Sequence, residues 1–297
     1  MMRTLRIDPG TARVLRCGVD PVRSRGSVPT RCATFVVFAT VGAENERPDA
    51  TRNRSVLARG LSVLDAFTDG TAELSLAELA ARTGLPKPTV HRLLGDLVEW
   101  GAVERSGPGH YRLATKLFRL GQLVPRQRVL REAALPHLEH LQRISGENVH
   151  VAVPDNVYTL FLEKVTGGRA MAVRSRVGSR MPTHCTATGK VFLAWGGQDR
   201  LRRVVEAGLP RITPRTIVLP GLLHRDLERT VERGVAVSRE EVEHGVAAVA
   251  APVLGSGGRV IAAVSVTGRA QTLDVDRLSD AVRGAASSMS TTLSAGF

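Results

Sequence analysis

The chain has 297 residues, enough for about two domains of ordinary size, and a hydrophobic content of 43% excludes a disordered protein. A net charge of +13 suits an anionic partner such as nucleic acid. The charge is spread evenly, with ten Lys and Arg against seven Asp and Glu over 51–120 and nineteen against fourteen over 146–297. Basicity alone therefore does not single out DNA.

Cys17, Cys32 and Cys185 are odd in number and lack zinc-site spacing, which favours a reducing, cytoplasmic compartment. Residues 1–50 read as a poorly ordered extension or a mis-set translation start. Within them "CATFVVFATVGA" (Cys32 to Ala43) is too short to span a bilayer. It follows an Arg-rich stretch, so a signal peptide is the rival reading. No membrane partner is expected.

From residue 51 the texture becomes helical. "SVLARGLSVLDAF" places Leu57, Leu61, Leu64 and Phe67 at helical spacing behind Ser55 as N-cap. "SLAELAARTG" opens on Ser75 and Glu78, spaced as a capping box, and ends on Gly84 where a left-handed cap belongs. After the "GLPKP" corner, Val90, Leu93, Leu94, Leu97 and Val98 form one apolar stripe. "AVERSGPGHYRLA" then predicts a β-hairpin, with extended arms at Ala102–Arg105 and His110–Leu113 around a Gly-Pro-Gly tip.

Three helices and a hairpin over 51–114 predict a winged helix-turn-helix. Burial of the stripe leaves Lys87, Pro88, Thr89, His91 and Arg92 outside, on the turn from which such a helix reads bases. Lys87, Thr89 and Arg92 can donate to phosphates or base edges. Arg105 and Arg112 on the hairpin could reach the flanking backbone or minor groove as a wing, and Ser75, at the start of the preceding helix, is a further candidate DNA contact. A plain three-helix core with solvated polar residues is the alternative.

Residues 115–145 read as linker helices punctuated by Pro125 and Pro136. From 146 to 297 strands are predicted at "NVHVAV", "NVYTLFLEKV" and "RAMAVRS", helices at 186–195, 198–207 and about 222–233, strands at 246–254 and 259–267, and a final helix over about 274–293. The mixture predicts an α/β domain inside an α+β chain. In "GSRMPTHCTATGKVFLAW" the hydroxyls of Thr183, Thr186 and Thr188 precede or open a helix, which suits a small anion; simple helix capping is the alternative. "HCTATGKV" fails as a phosphate loop at His184 and Val191. Cys185 lacks an evident base, with His150, His224 and His244 as unsupported candidates. His137 and His140, three apart, lack a further ligand for a metal. Alternation in "GRVIAAVSVTG" puts Ile261, Ala263, Ser265 and Thr267 on one strand face, and Val260, Ala262, Val264 and Val266 on the other, against helices.

The order of "RGLSVLDAF", "LSLAELAARTGLPKPTVHRLLGDLVEWGAVER", "YRLATKLFRLG", "LREAALPHLEHL", "MPTHCTATGK" and "ERGVAVSREEVEHGVAAVAAPVL" resembles the IclR-type family of bacterial transcriptional regulators. The resemblance implies a winged helix-turn-helix, a linker helix and a GAF-like effector-binding domain. It implies dimers or tetramers on double-stranded operator DNA and a small-molecule effector; the anion-suited start of the 186–195 helix makes a carboxylic acid the expected class. It places the effector against the loop carrying Met181, His184 and Thr186, against Arg239-Glu240, and against Ala248, Ser265 and Thr267. The chain departs from the family where an acidic residue is replaced by Ser238 or Arg239, and where a frequent Cys is Ala248. Arg239 could thus pair with an acidic group of the ligand. No cofactor, metal or catalytic residue is expected. An enzyme acting on a small carboxylic acid and a winged-helix module that binds protein remain the other readings.

Overall fold

The computed structural model describes residues 55–67, 71–168 and 170–294. The extension over 1–50, its apolar run, Cys17 and Cys32 lie outside the described residues.

Helix α1 (Val56–Asp65) starts at Ser55, whose Oγ accepts the Ala58 N–H at 3.0 Å. Helix α2 (Leu76–Thr83) starts on a full capping box: Ser75 Oγ accepts the Glu78 N–H, and the Glu78 carboxylate accepts the Ser75 N–H at 2.8 Å. Gly84 stops α2 at φ 67°, a conformation a Cβ would strain. Helix α3 (Lys87–Trp100) then packs Val90, Leu93 and Leu94 against Val63, Leu79 and Tyr111. The outcome for α1 differs from its apolar spacing. Val63 and Phe67 turn inward, whereas Leu57 is 72% exposed and Leu61 is exposed as well.

The hairpin is present as β2 (Val103–Gly107) and β3 (His110–Leu113), its first arm longer than the sequence suggested. A two-residue strand, β1 (Leu74–Ser75), adds to β3. Two residues are too few to show a period. Helix α4 (Thr115–Gly121) leads to α5 (Pro125–Ser145), which begins at Pro125 and runs through Pro136 without ending there.

The second region is built on six strands: β4 (Asn148–Asp155), β5 (Tyr158–Val165), β6 (Arg180–Pro182), β7 (Ala236–Arg239), β8 (Val246–Leu254) and β9 (Val260–Arg269). Their order is β6-β5-β4-β9-β8-β7, with every neighbouring pair antiparallel. The expected strand at "RAMAVRS" is absent: described residues 170–177 form no strand. Side chains serve their backbone instead, since Asn148 Nδ2 donates to Met171 O and Lys164 Nζ donates to Ser175 O.

Helices cover both faces of the sheet. On one, α5 and α9 (Val275–Ser294) bury Val149, Val151, Ala262, Val264 and Val266 with Leu138, Leu141 and Met289. Each such aliphatic side chain contributes about 1.5–3 kcal/mol. On the other, α6 (Ala187–Trp195) sits over Ala152, Phe161, Ala250 and Ala263, with α7 (Gln198–Glu206) and α8 (Pro220–Arg233) outside it. The alternation of β9 thus sends Val264 and Val266 to the apolar layer, and Ser265 and Thr267 to the α6 side.

Candidate functional site

Two surfaces are candidates for function. The first is the opening turn of α3. Its N-cap, Pro86, supplies no side-chain cap, which leaves first-turn N–H groups facing outward. Lys87, Pro88, His91 and Arg92 are exposed and Thr89 is half-buried. Among the described residues the side chains of Lys87, Thr89, His91 and Arg92 have no hydrogen-bond or ion-pair partner. Polar groups left without protein partners around a helix N-terminus suit phosphates and base edges. On the hairpin Arg105 is exposed, while Arg112 Nε is held 2.5 Å from Glu104 Oε1. Ser75 has its hydroxyl engaged by Glu78, so its place is structural: it anchors α2 beneath α3.

The second surface is a cavity under the start of α6. Residues 183–185 make one turn of 3-10 helix, and Thr186 then caps α6, its Oγ1 accepting the Gly189 N–H at 3.1 Å. The N–H groups of Ala187 and Thr188, in the first turn, have no intrahelical acceptor. A Cβ at Gly189 would overlap the Thr183 carbonyl oxygen, so only glycine lets the turn fold back this closely. The cavity beside it has a volume of about 50 Å³. At ~10–15 Å³ for each water, that is room for about four waters.

Of the residues anticipated here, Met181, Thr186, Ala248, Ser265 and Thr267 line the cavity. His184, Arg239 and Glu240 do not. His184 is buried, and its Nε2 donates to Pro210 O at 3.1 Å; burial lowers its pKa, so the ring is neutral. Arg239 fails by the period of the strand: β7 turns Ser238 into the cavity and Arg239 outward, to donate to Ala270 O at 2.8 Å. The anticipated pairing of Arg239 with a ligand acid therefore has no geometry behind it. Glu240 has φ 58° and is spent on the loop, accepting the Gly245 N–H at 2.9 Å and pairing with Arg215 at 3.0 Å.

Of the other residues at the cavity, Thr188 is one of the helix-opening hydroxyls anticipated from the sequence, whereas Ser175 had no usable signal there. Ser175 lines it, with Oγ 2.9 Å from His150 Nε2. Thr188 lines it too, and its buried Oγ1 has no hydrogen-bond partner. Two residues further along α6, Lys190 Nζ reaches Glu241 Oε1 at 2.5 Å, Asp226 Oδ2 at 2.7 Å and Val237 O at 3.1 Å. In the sequence Lys190 stands only in "HCTATGKV", the stretch that fails as a phosphate loop. Cys185 is not set up as a nucleophile: burial, then the Glu241 carboxylate, push its thiol up to about 12. Among the described residues no three His, Cys, Asp or Glu side chains converge as a metal site. No helix among them is long and apolar enough to cross a membrane.

Comparison with known proteins matches both regions. The IclR helix-turn-helix domain profile covers residues 56–107, and the profile of the bacterial transcriptional regulator IclR C-terminal domain covers residues 123–291. The chain belongs to the IclR family. It is similar to the HTH-type transcriptional regulator XynR of Escherichia coli (strain K12), 36% identical over 211 residues, 70% of this chain and 84% of that protein. The transcriptional repressor IclR of the same strain is 30% identical over 235 residues, 78% and 86% of the two chains. Among solved structures, an IclR homolog from Microbacterium hydrocarbonoxydans complexed with 4-hydroxybenzoate has a TM-score of 0.74 at 32% identity, covering 81% of this chain and 100% of that one. The Thermotoga maritima IclR has a TM-score of 0.65 at 29% identity, covering 80% and 98%. This IclR-family protein is accordingly a DNA-binding transcriptional regulator.

Proposed function

We propose that this IclR-family regulator binds operator DNA as a dimer, or as paired dimers, and responds to a small carboxylic acid held at the start of α6. The observation that carries the reading is the first turn of α6. Its free N–H groups and the unpartnered Thr188 hydroxyl adjoin a small, partly open cavity, where a carboxylate is stabilised by the helix end. The 4-hydroxybenzoate bound to the Microbacterium homolog is itself a carboxylic acid, which supports the class.

Lys87, Thr89, His91 and Arg92 enter the major groove, and Arg105 approaches the flanking backbone. Dimerisation is supported by apolar residues that the fold leaves outside, Leu57 and Leu61 on α1 and Phe118 and Leu120 on α4. The acid acts by binding one arrangement of the paired recognition helices better than the other. The protein works where the DNA is, in the cytoplasm.

Capture of fragments of the DNA flanking the protein's own gene, over a series of salt concentrations, tests this. Retention of a pseudo-palindromic fragment that weakens with salt, and is altered by a carboxylic acid, is the expected result. Retention of nothing above background at low salt would overturn it.

A further inference from the structure

The sheet carries a second cavity, on the face opposite the first. Its floor is Leu130 of α5, Val153 of β4 and Ile261 of β9, all packed with the α5–α9 layer. Phe161, Ala187 and Ala248 of the first cavity pack instead with α6. The second cavity has a volume of about 410 Å³, within the ~300–1,000 Å³ of small-molecule sites.

A break in strand pairing shapes it. Val253 pairs with Ala262 and Leu254 with Val260, so Ile261 is bulged out of the β8–β9 ladder. Ile261 therefore packs on the α5 side, contrary to the alternation that places it with Ala263. A Cβ on Gly255 would meet Ile261 Cγ2 at 2.9 Å, so glycine lets the β8–β9 turn close over the bulged side chain. That turn brings Ser256 and Arg259 to the rim.

The start of α5 supplies Arg126 and Gln127. Pro125 has no N–H and Val124 offers no side-chain cap, so the backbone N–H groups of Arg126 and Gln127 lack intrahelical acceptors. Arg126 and Arg259 are exposed, and among the described residues neither side chain has a hydrogen-bond or ion-pair partner. Other arginines of this region are engaged: Arg131 with Glu163 at 2.7 Å, Arg180 with Asp155 at 2.6 Å and Arg215 with Glu240 at 3.0 Å. No Asp or Glu lines the cavity. Two guanidinium groups at one cavity without a counter-charge suit an anion with several acceptor oxygens. Gln127 adds an acceptor, because its Oε1 is buried and has no hydrogen-bond partner. Buried polar atoms are nearly always paired, so this oxygen calls for a donor from an occupant.

These groups together describe one ligand chemistry. A phosphate offers three oxygens to two forked donors and the helix N–H groups, where a carboxylate offers two. A short carbon skeleton covers Leu130, Val153 and Ile261, and a hydroxyl on it satisfies Gln127. We propose that this cavity binds a phosphate monoester of a small hydroxylated molecule, with the phosphate at Arg126 and Arg259 and a hydroxyl on Gln127 Oε1. An occupant ties the start of α5, the helix that follows α4, to the β8–β9 turn. The site is independent of acid sensing at α6.

Calorimetric titration of the full chain with ribose 5-phosphate tests it, with inorganic phosphate, ribose and succinate alongside. Ribose 5-phosphate is expected to bind more tightly than inorganic phosphate, and ribose and succinate about tenfold more weakly than ribose 5-phosphate or worse. Arg126→Gln and Arg259→Gln should each weaken ribose 5-phosphate about tenfold. Both residues are exposed, so the unfolding midpoint should stay nearly unchanged. Gln127→Leu should weaken ribose 5-phosphate and leave inorganic phosphate unaffected. Arg92→Ala, on the DNA-facing turn, should alter neither. Binding of neither phosphate, equal binding of succinate, or binding that survives both arginine substitutions would overturn the proposal. Loss of binding in Arg92→Ala alone would move the phosphate to the DNA-facing turn and overturn it too. Absent binding, with Arg126→Gln and Arg259→Gln shifting sedimentation towards smaller species, would give the two arginines to a second copy of the chain instead.

Discussion

The ammonium of Lys190, on a side chain only 1% exposed, lies 2.5 Å from Glu241 Oε1 and 2.7 Å from Asp226 Oδ2. One buried cation thus joins α6, α8 and the segment after β7. That segment continues into Val242, Glu243 and Val246, which line the cavity together with Thr186, Ala187 and Thr188 at the N-terminus of α6. Thr213 and Thr216 stitch the same segment, donating to Glu240 O at 2.6 Å and to Glu241 O at 2.7 Å. Burial raises the Glu241 pKa, against the pull of the Lys190 charge. Lys190→Met would leave that carboxylate buried without its cation. The expected cost is about 3–5 kcal/mol in urea unfolding, because removing one partner strands the other. A loss under ~1 kcal/mol would show that water replaces the pair.

His150 makes stability depend on pH in a defined window. Burial, reinforced by the Lys164 cation, holds its folded pKa at about 3 against an ordinary 6.5, so between those values the unfolded chain binds a proton that the folded one does not. Its contribution is therefore complete above pH 6.5 and is lost as pH falls from 6.5 towards 3. The full loss is about 4–5 kcal/mol. Denaturant unfolding at pH 7 and pH 4.5 should show the decline for the native chain, and a flatter profile for His150→Asn. Parallel profiles for the two would assign the acid sensitivity elsewhere.

The paired histidine and the Lys190 cluster are also where sequence reasoning stopped short. Caps and stripes are local patterns, so the helix starts at Ser55 and Ser75, the stop at Gly84 and the two faces of β9 were legible within a few residues. The contacts of Lys190 span 36 and 51 positions, and Ser175 meets His150 across 25; no periodicity reports such pairs. The strand expected at "RAMAVRS" shows the converse, because an apolar alternation was outweighed by side chains that satisfy the backbone from Asn148 and Lys164. Arg239 and Ser238 were left interchangeable by resemblance, and the pleat of β7 separates them.

At the DNA surface the two wing arginines should behave differently. Arg105 is exposed without a partner among the described residues, and Arg112 is neutralised by Glu104. Arg92→Ala should weaken specific binding by ~1–3 kcal/mol if the guanidinium reads a base. If it meets phosphate, all sequences weaken alike and the log–log salt slope falls by ~0.9. Arg105→Ala should show the phosphate pattern, and Arg112→Ala a smaller effect than either. Fluorescence anisotropy on specific and random duplexes at three salt concentrations separates these cases, and an unchanged affinity for Arg92→Ala would remove it from the interface.

The apolar residues left outside α1 and α4 give a prediction about assembly. Leu57 is 72% exposed and Leu123, just past α4, is 71% exposed. Neither is packed in the winged-helix core, whose buried members include Val63, Leu79 and Leu94. A carboxylate at either position would thus leave the monomer's unfolding midpoint nearly unchanged, since surface substitutions away from packed features stay within about 0.5 kcal/mol. In a dimer that buries these residues, the same carboxylate is desolvated against apolar surface and association weakens. Leu57→Glu and Leu123→Glu should therefore shift sedimentation velocity profiles towards the monomer, and should lower operator affinity without touching a DNA-facing residue. An unaltered sedimentation coefficient in both variants would place the dimer contact on another face of the molecule.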